Sequence, residues 1–113
     1  MEAASTAAPT AVPQHIRALE HANRVRLARA ELKRSIGRGD TSAADIVRLC
    51  PWEAQTMSVS ELLRSQRRWG RARTRKFLSP LALNENRRLD RLTSRQRELL
   101  AVALDAKRQQ QAG

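Results

Sequence analysis

The residues best placed to do chemistry lie between Leu62 and Leu78, which read LLRSQRRWGRARTRKFL. Seven of the thirteen residues from Arg64 to Lys76 are Arg or Lys, and none is acidic. Solvated helical faces usually interleave both signs, so an acid-free run of this density points to an anionic partner. Gly70, preceded by Trp69, interrupts the run, with Leu62 and Leu63 before it and Phe77 and Leu78 behind. The pattern predicts two helices joined by a tight turn in which Gly70 takes a positive φ and lets the backbone approach a ligand. The second helix, from about Arg71, would aim its unpaired N–H groups and the positive end of its dipole at that turn. Arg68, Arg71 and Arg73 add guanidinium charge beside it, and the matching ligand is a phosphate of a nucleic-acid backbone. Arg64, Arg75 and Lys76 are divided evenly between phosphate contact and a solvated face. Trp69 has two readings: a wedge or stacking group on bases, or a plug that packs the hairpin onto the last helix. The plug is preferred.

Other chemistries find no footing. His15 and His21 stand six apart and Cys50 is remote, so no metal site is expected. No Ser–His–Asp pattern, nucleotide-binding glycine loop or carboxylate pair is present. Asp90 is the one acid near the basic surface, too little for a helix–hairpin–helix glycosylase. The expectation is a non-enzyme with no cofactor. A single cysteine excludes an intramolecular disulfide and favours a reducing, cytoplasmic setting. No apolar run is long enough to cross a bilayer. The opening MEAASTAAPTAV lacks the basic and apolar regions of a secretory signal.

The elements that must position the hairpin read as helices throughout. Residues 1–12 are rich in Ala, Ser, Thr and Pro and are expected to be disordered. A long basic helix should follow within 13–39, from about Pro13 to Ile36. Its apolar stripe would be Ile16, Leu19, Ala22, Val25, Ala28, Leu32 and Ile36, with Gly37 and Gly39 ending it. A helical DNA-binding domain would occupy 40–106, and 107–113 should fray. Within that domain Ser42 with Asp45 caps a short helix that Pro51 stops. A loose connector follows to Met57, with Trp52 as a lid over the core. Ser58 with Glu61 caps the first hairpin helix, and Asn84 a short helix through Leu89. Thr93 with Gln96 caps a terminal helix whose Leu99, Leu100, Ala103 and Leu104 face inward. No strand signal emerges, so the fold class is all-α.

Charge is concentrated in the second half. The chain carries 22 Lys and Arg against 11 Asp and Glu, a net +11. Residues 1–56 hold eight bases and six acids, whereas 57–113 hold fourteen and five. Such a field attracts polyanions and opposes self-association, so a monomer is expected.

Taken together, ARAELKRSIGRG (Ala28–Gly39), MSVSELL (Met57–Leu63), the Gly70 hairpin, RRL (Arg87–Leu89) and LTSRQRELL (Leu92–Leu100) resemble the actinobacterial type of integration host factor. The resemblance spans roughly residues 14–104. It implies a helix–two-turns–helix domain in a nucleoid-associated protein that binds duplex DNA with little sequence preference. The contacts would be to backbone and minor groove, altering DNA shape or topology, and some members assist site-specific recombination with a recombinase or integrase. The family's basic turn falls on Arg68, Trp69, Gly70, Arg71 and Arg73, and its basic RRL segment on Arg87 and Arg88. The candidate DNA surface is therefore Arg67, Arg68, Trp69, Gly70, Arg71, Ala72, Arg73 and Lys76, with Arg87, Arg88, Arg91, Arg95 and Arg97. Departures from the family pattern are Gln66 and Arg67 for Leu-Pro, Trp69 for a small aliphatic residue, Asp90 for a base, and Arg91 and Thr93 for two glycines. They suggest a divergent member carried by a phage or mobile element. The rival readings are an RNA-binding relative and a recombination adaptor working mainly through a protein partner.

Overall fold

Hydroxyl caps set the helix starts. Ser42 Oγ accepts from the Asp45 amide at 3.3 Å, and Ser58 Oγ from the Glu61 amide at 3.0 Å. At Thr93 the capping box closes in both directions, each bond 3.0 Å, with Gln96 Oε1 accepting from the Thr93 amide. The structure, a computed structural model, describes residues 13–112. The tail expected over 1–12 lies outside them. The helices are α1 (Gln14–Gly37), α2 (Ala43–Leu49), α3 (Val59–Arg64), α4 (Arg71–Leu78) and α5 (Ser94–Ala112), with 3-10 turns at Ser79–Leu81 and Leu89–Arg91. No strand occurs among the described residues; Ser58 and Arg88 form one isolated antiparallel bridge. The all-α reading holds.

The core collects Ile36 from α1, Ile46 and Val47 from α2, Leu62 and Leu63 from α3, and Leu100 and Leu104 from α5. Met57 and Leu89, both fully buried, seal it from the connecting segments. Arg48 ties α2 to α5 through Asp105 at 2.9 Å, and Glu61 pairs with Lys33 rather than returning to its own cap. On α5, Leu100 and Ala101 point inward, whereas Leu99 is 46% exposed, so its expected inward placement is corrected. The helix runs on to Ala112, through the segment expected to fray.

Three further expectations change. The apolar stripe of α1 is buried only at Leu32 and Ile36. Twenty-four residues rise about 36 Å, more than the small domain can cover. Leu19, at 66% exposed, and the rest of the first half therefore lie in the open. The 51–57 connector is packed rather than loose. Ala54 and Met57 are fully buried, and Arg29 of α1 donates to the Glu53 carbonyl and the Thr56 hydroxyl. Trp52 is exposed and is no lid.

Residues 84–88 form no helix. The amide of Asn86 donates to Asn84 Oδ1 at 2.8 Å, a local turn that competes with helix. The following carbonyls then serve the first turn of α3: Val59 N–H donates to Arg87 O at 2.9 Å and Ser60 N–H to Glu85 O at 2.8 Å. Those are donors that a helix start leaves without partners. Satisfying them from a distant segment outweighs a marginal five-residue helix.

Truncation on α5 checks which face is core. Leu100→Ala is expected to cost about 2–5 kcal/mol in urea unfolding, and Leu99→Ala about 0.5 kcal/mol or less.

Candidate nucleic-acid interface

The turn between α3 and α4 is built on opposed orientations of neighbouring residues. Trp69 points inward, only 5% exposed, and its amide donates to the Gln66 carbonyl at 3.2 Å. Its ring meets Phe77 edge-on at 5.1 Å, and the Arg73 guanidinium lies over it at 4.5 Å. Such edge-to-face and cation–π contacts add to the burial of a large ring. Trp69 is a buried plug, but its ring contacts fall on Phe77 and Arg73 of α4, and it has no free ring face to offer to bases.

Gly70, the next residue, is exposed and caps α4 with φ −92° and ψ −172°. This is extended backbone open to any residue, so the expected positive φ at Gly70 is corrected. The left-handed residue of the turn is Arg68, at φ 70°. A Cβ built on Gly70 would meet nothing within 4 Å. Within the protein, then, neither conformation nor packing demands glycine there.

The turn presents donors. The Gly70 carbonyl accepts both the Thr74 amide (3.1 Å) and the Thr74 hydroxyl (2.8 Å), and no side chain caps α4. The amides of Gly70, Arg71, Ala72 and Arg73 have no acceptor among the described residues. Arg67, Arg68 and Arg71 stand exposed around them, with no carboxylate partner among those residues. Such a grouping suits an anion that arrives from outside. Other bases of the run are engaged: Arg64 donates to Ser60 Oγ at 3.1 Å and Arg75 to Glu85 at 3.0 Å. Lys76 is exposed farther along α4.

The second cluster is more restrained than its composition suggests. Arg88 makes a two-pronged pair with Asp90 at 3.0 and 2.6 Å, so the Asp90 departure neutralises a base of the RRL segment. Arg87 donates to the Arg91 carbonyl at 2.9 Å, and both side chains stay exposed. Arg97 turns into the fold, donating to Val47 O at 2.8 Å and Leu89 O at 2.9 Å. Its position is structural. Arg91 and Arg95 remain exposed without carboxylate partners among the described residues. The bridge of Ser58 to Arg88 fixes this cluster at the start of α3, with the Gly70 turn beyond the helix's other end. The two basic regions therefore flank one short helix.

Lys107 and Arg108 escaped the sequence reading. They line a cleft of about 370 Å³ with Arg67, between the end of α1 and the start of α2. The expectation of fraying beyond residue 106 hid them; continuing the wheel of α5 past Leu104 would have placed Lys107 beside the turn. No group of His, Cys, Asp and Glu among the described residues could hold a metal ion. None of their helices is long and apolar enough to cross a membrane.

The fold has a solved counterpart. A structure of sIHF bound to an 8-base-pair palindromic DNA matches the chain with a TM-score of 0.68 and 28% identity. The match covers 75% of this chain and 98% of that one. The chain therefore has an integration-host-factor-like helical fold. No protein-family model and no curated protein matches the sequence.

Trp69→Ala is expected to lower stability by about 3–5 kcal/mol, the range for emptying a large aromatic site. Chemical unfolding monitored by circular dichroism reads it. A wedge held out for bases would leave stability unchanged.

Proposed function

We propose that the protein binds duplex DNA as a nucleoid-associated architectural protein, with the α3–α4 turn as its principal phosphate site. The observation that carries this reading is the exposed, uncapped start of α4 at Gly70, whose free amides stand among unpaired arginines. Neither conformation nor packing inside the protein requires glycine there, and its missing side chain lets an incoming sugar–phosphate chain approach the backbone. The solved neighbour carries DNA, which agrees with the same ligand class.

In this mechanism the amides of Gly70, Arg71 and Ala72 bind one phosphate, while Arg67, Arg68 and Arg71 grip its neighbours. Arg87, Arg91 and Arg95 reach the backbone or narrowed minor groove from the other end of α3, where guanidinium groups are favoured electrostatically. Arg88 contributes only if DNA displaces Asp90. Arg73, stacked over Trp69, and Lys76, farther along α4, are outer contributors of charge. The residues gathered here suit phosphates more than base edges, so preference should follow DNA deformability rather than sequence. Two basic regions flanking one helix can hold separated phosphates and favour bent DNA. Bending of that kind would serve chromosome topology or a recombinase complex, whether the chain comes from a host or a mobile element.

Fluorescence anisotropy on a short duplex across a salt series tests the reading. Three to five phosphate contacts predict a log–log slope of roughly −2.7 to −4.5. Arg68→Glu with Arg71→Glu should weaken binding at least tenfold with little loss of stability. Gly70→Val, which the backbone accepts, should cost about 1 kcal/mol of stability as a poorer cap and still weaken DNA binding clearly. Affinity indifferent to salt and to these variants would overturn the reading. A strong preference for structured RNA of equal length would redirect it.

A further inference from the structure

The turn's amides and arginines leave a second surface without a role. Between α4 and the last turns of α5 runs an open groove of about 700 Å³. Phe77, Pro80 and Leu81 form one wall, Ala103 and Ala106 form the floor, and Trp69 closes an end. Arg73, Lys76 and Lys107 stand on its margins, and no carboxylate lines it. Leu99 continues the floor along α5, since positions 99, 103, 106 and 110 share one helical face. Leu99 and its neighbour Val102, 46% and 51% exposed, have no cover among the described residues. The floor from Leu99 to Gln110 extends about 16 Å, or three helical turns.

We propose that this groove docks an acidic amphipathic helix of a partner protein. An apolar trough between two helices takes the hydrophobic stripe of a third, read as anchors at helical spacing. The three marginal cations select acidic flanks on that helix and speed its encounter. DNA is a poor occupant, because its phosphates gain nothing from a floor of alanine and leucine. A second copy would set Arg73, Lys76 and Lys107 against like charges in a chain of net +11. The chain's own residues 1–12 hold one acid and no Leu, Ile or Phe. They join the chain at Pro13, and the helix that follows runs about 36 Å to Gly37. The groove shares Ala72, Arg73 and Lys76 with the proposed DNA surface, but Arg67, Arg68, Gly70 and Arg71 of the phosphate site do not line it. Ala72 and Lys76 lie on the groove side of α4, with Pro80 of the following 3-10 turn, whereas Arg71 and Arg75 do not line the groove and Arg75 pairs with Glu85.

The test uses the full chain, isotopically labelled for NMR, titrated with a synthetic helical peptide of about 15 residues carrying Leu at groove-matching spacing and Glu elsewhere. Amide shifts should concentrate at Phe77, Ala103 and Ala106. Replacing the peptide's Glu by Gln, or its Leu by Ser, should each weaken binding about tenfold. Ala106→Glu in the protein should abolish the interaction and leave the fold intact, because the position is exposed. Ala18→Glu, with the same charge change on α1, should leave it unaltered. Shifts confined to the 65–70 turn, or affinity indifferent to the Leu replacements, would overturn the proposal by showing mere charge attraction. A concentration-dependent dimer in sedimentation that Ala106→Glu dissolves would overturn it in favour of a second copy. Equal affinity of duplex DNA and peptide for the groove would overturn it in favour of DNA.

Discussion

The arrangement of the basic surface depends on one buried ring. Trp69 is held inside by Phe77 and roofed by the Arg73 guanidinium, and this anchors the turn that carries α3 into α4. A chain that turns one residue firmly inward can present the next outward without further support. Gly70 and the amides after it are therefore displayed by a side chain that never reaches the surface. The left-handed conformation at Arg68 completes the reversal, placed one residue before the tryptophan rather than one after it. A strong inward anchor offsets the cost of positive φ at a residue with a side chain, which is of order 1 kcal/mol.

Excess positive charge is divided between scaffold and surface. Arg29 staples α1 to the 51–57 segment, Arg48 clamps α2 to α5, and Arg97 bridges two backbone carbonyls from different elements. These guanidinium groups satisfy buried or half-buried oxygen atoms and are spent on the fold. Arg75 and Arg88 are held by Glu85 and Asp90. Among the described residues, most cations without a carboxylate partner outside α1 lie at the α3–α4 turn, at Arg87, Arg91 and Arg95, and along the end of α5. Net charge alone would have treated all of them as equivalent.

The two candidate surfaces use α4 in different ways. Its start offers polar backbone groups with flanking arginines, suited to phosphates. Its outer side offers an apolar wall with a basic margin, suited to a helix of opposite charge. Both are displayed by an eight-residue helix too short to be stable alone, so both depend on its packing through Thr74 and Leu78.

Much of the fold was legible in the residues. The hydroxyl caps at Ser42, Ser58 and Thr93, the helix stop before Pro51, the all-helical class and the basic hairpin are local in origin, and local stereochemistry acts wherever the chain goes. The burial of Trp69 was also readable, from a large ring beside a glycine between two amphipathic segments. What the order of residues could not supply was the accounting between distant segments. Residues 84–88 give up a weak helix because α3 needs acceptors, the connector packs because Met57 and Ala54 close the core, and Asp90 captures Arg88. Half of the α1 stripe stays uncovered because the helix outruns the domain, and Arg97 leaves the surface because two carbonyls lie within its reach. For residues 84–88, the connector and Arg97, a contact between residues far apart in the chain outweighs a local preference of a few tenths to about 1 kcal/mol. The sequence by itself determined where helices begin and where charge is dense; the tertiary structure decided which charges remain free to meet a partner.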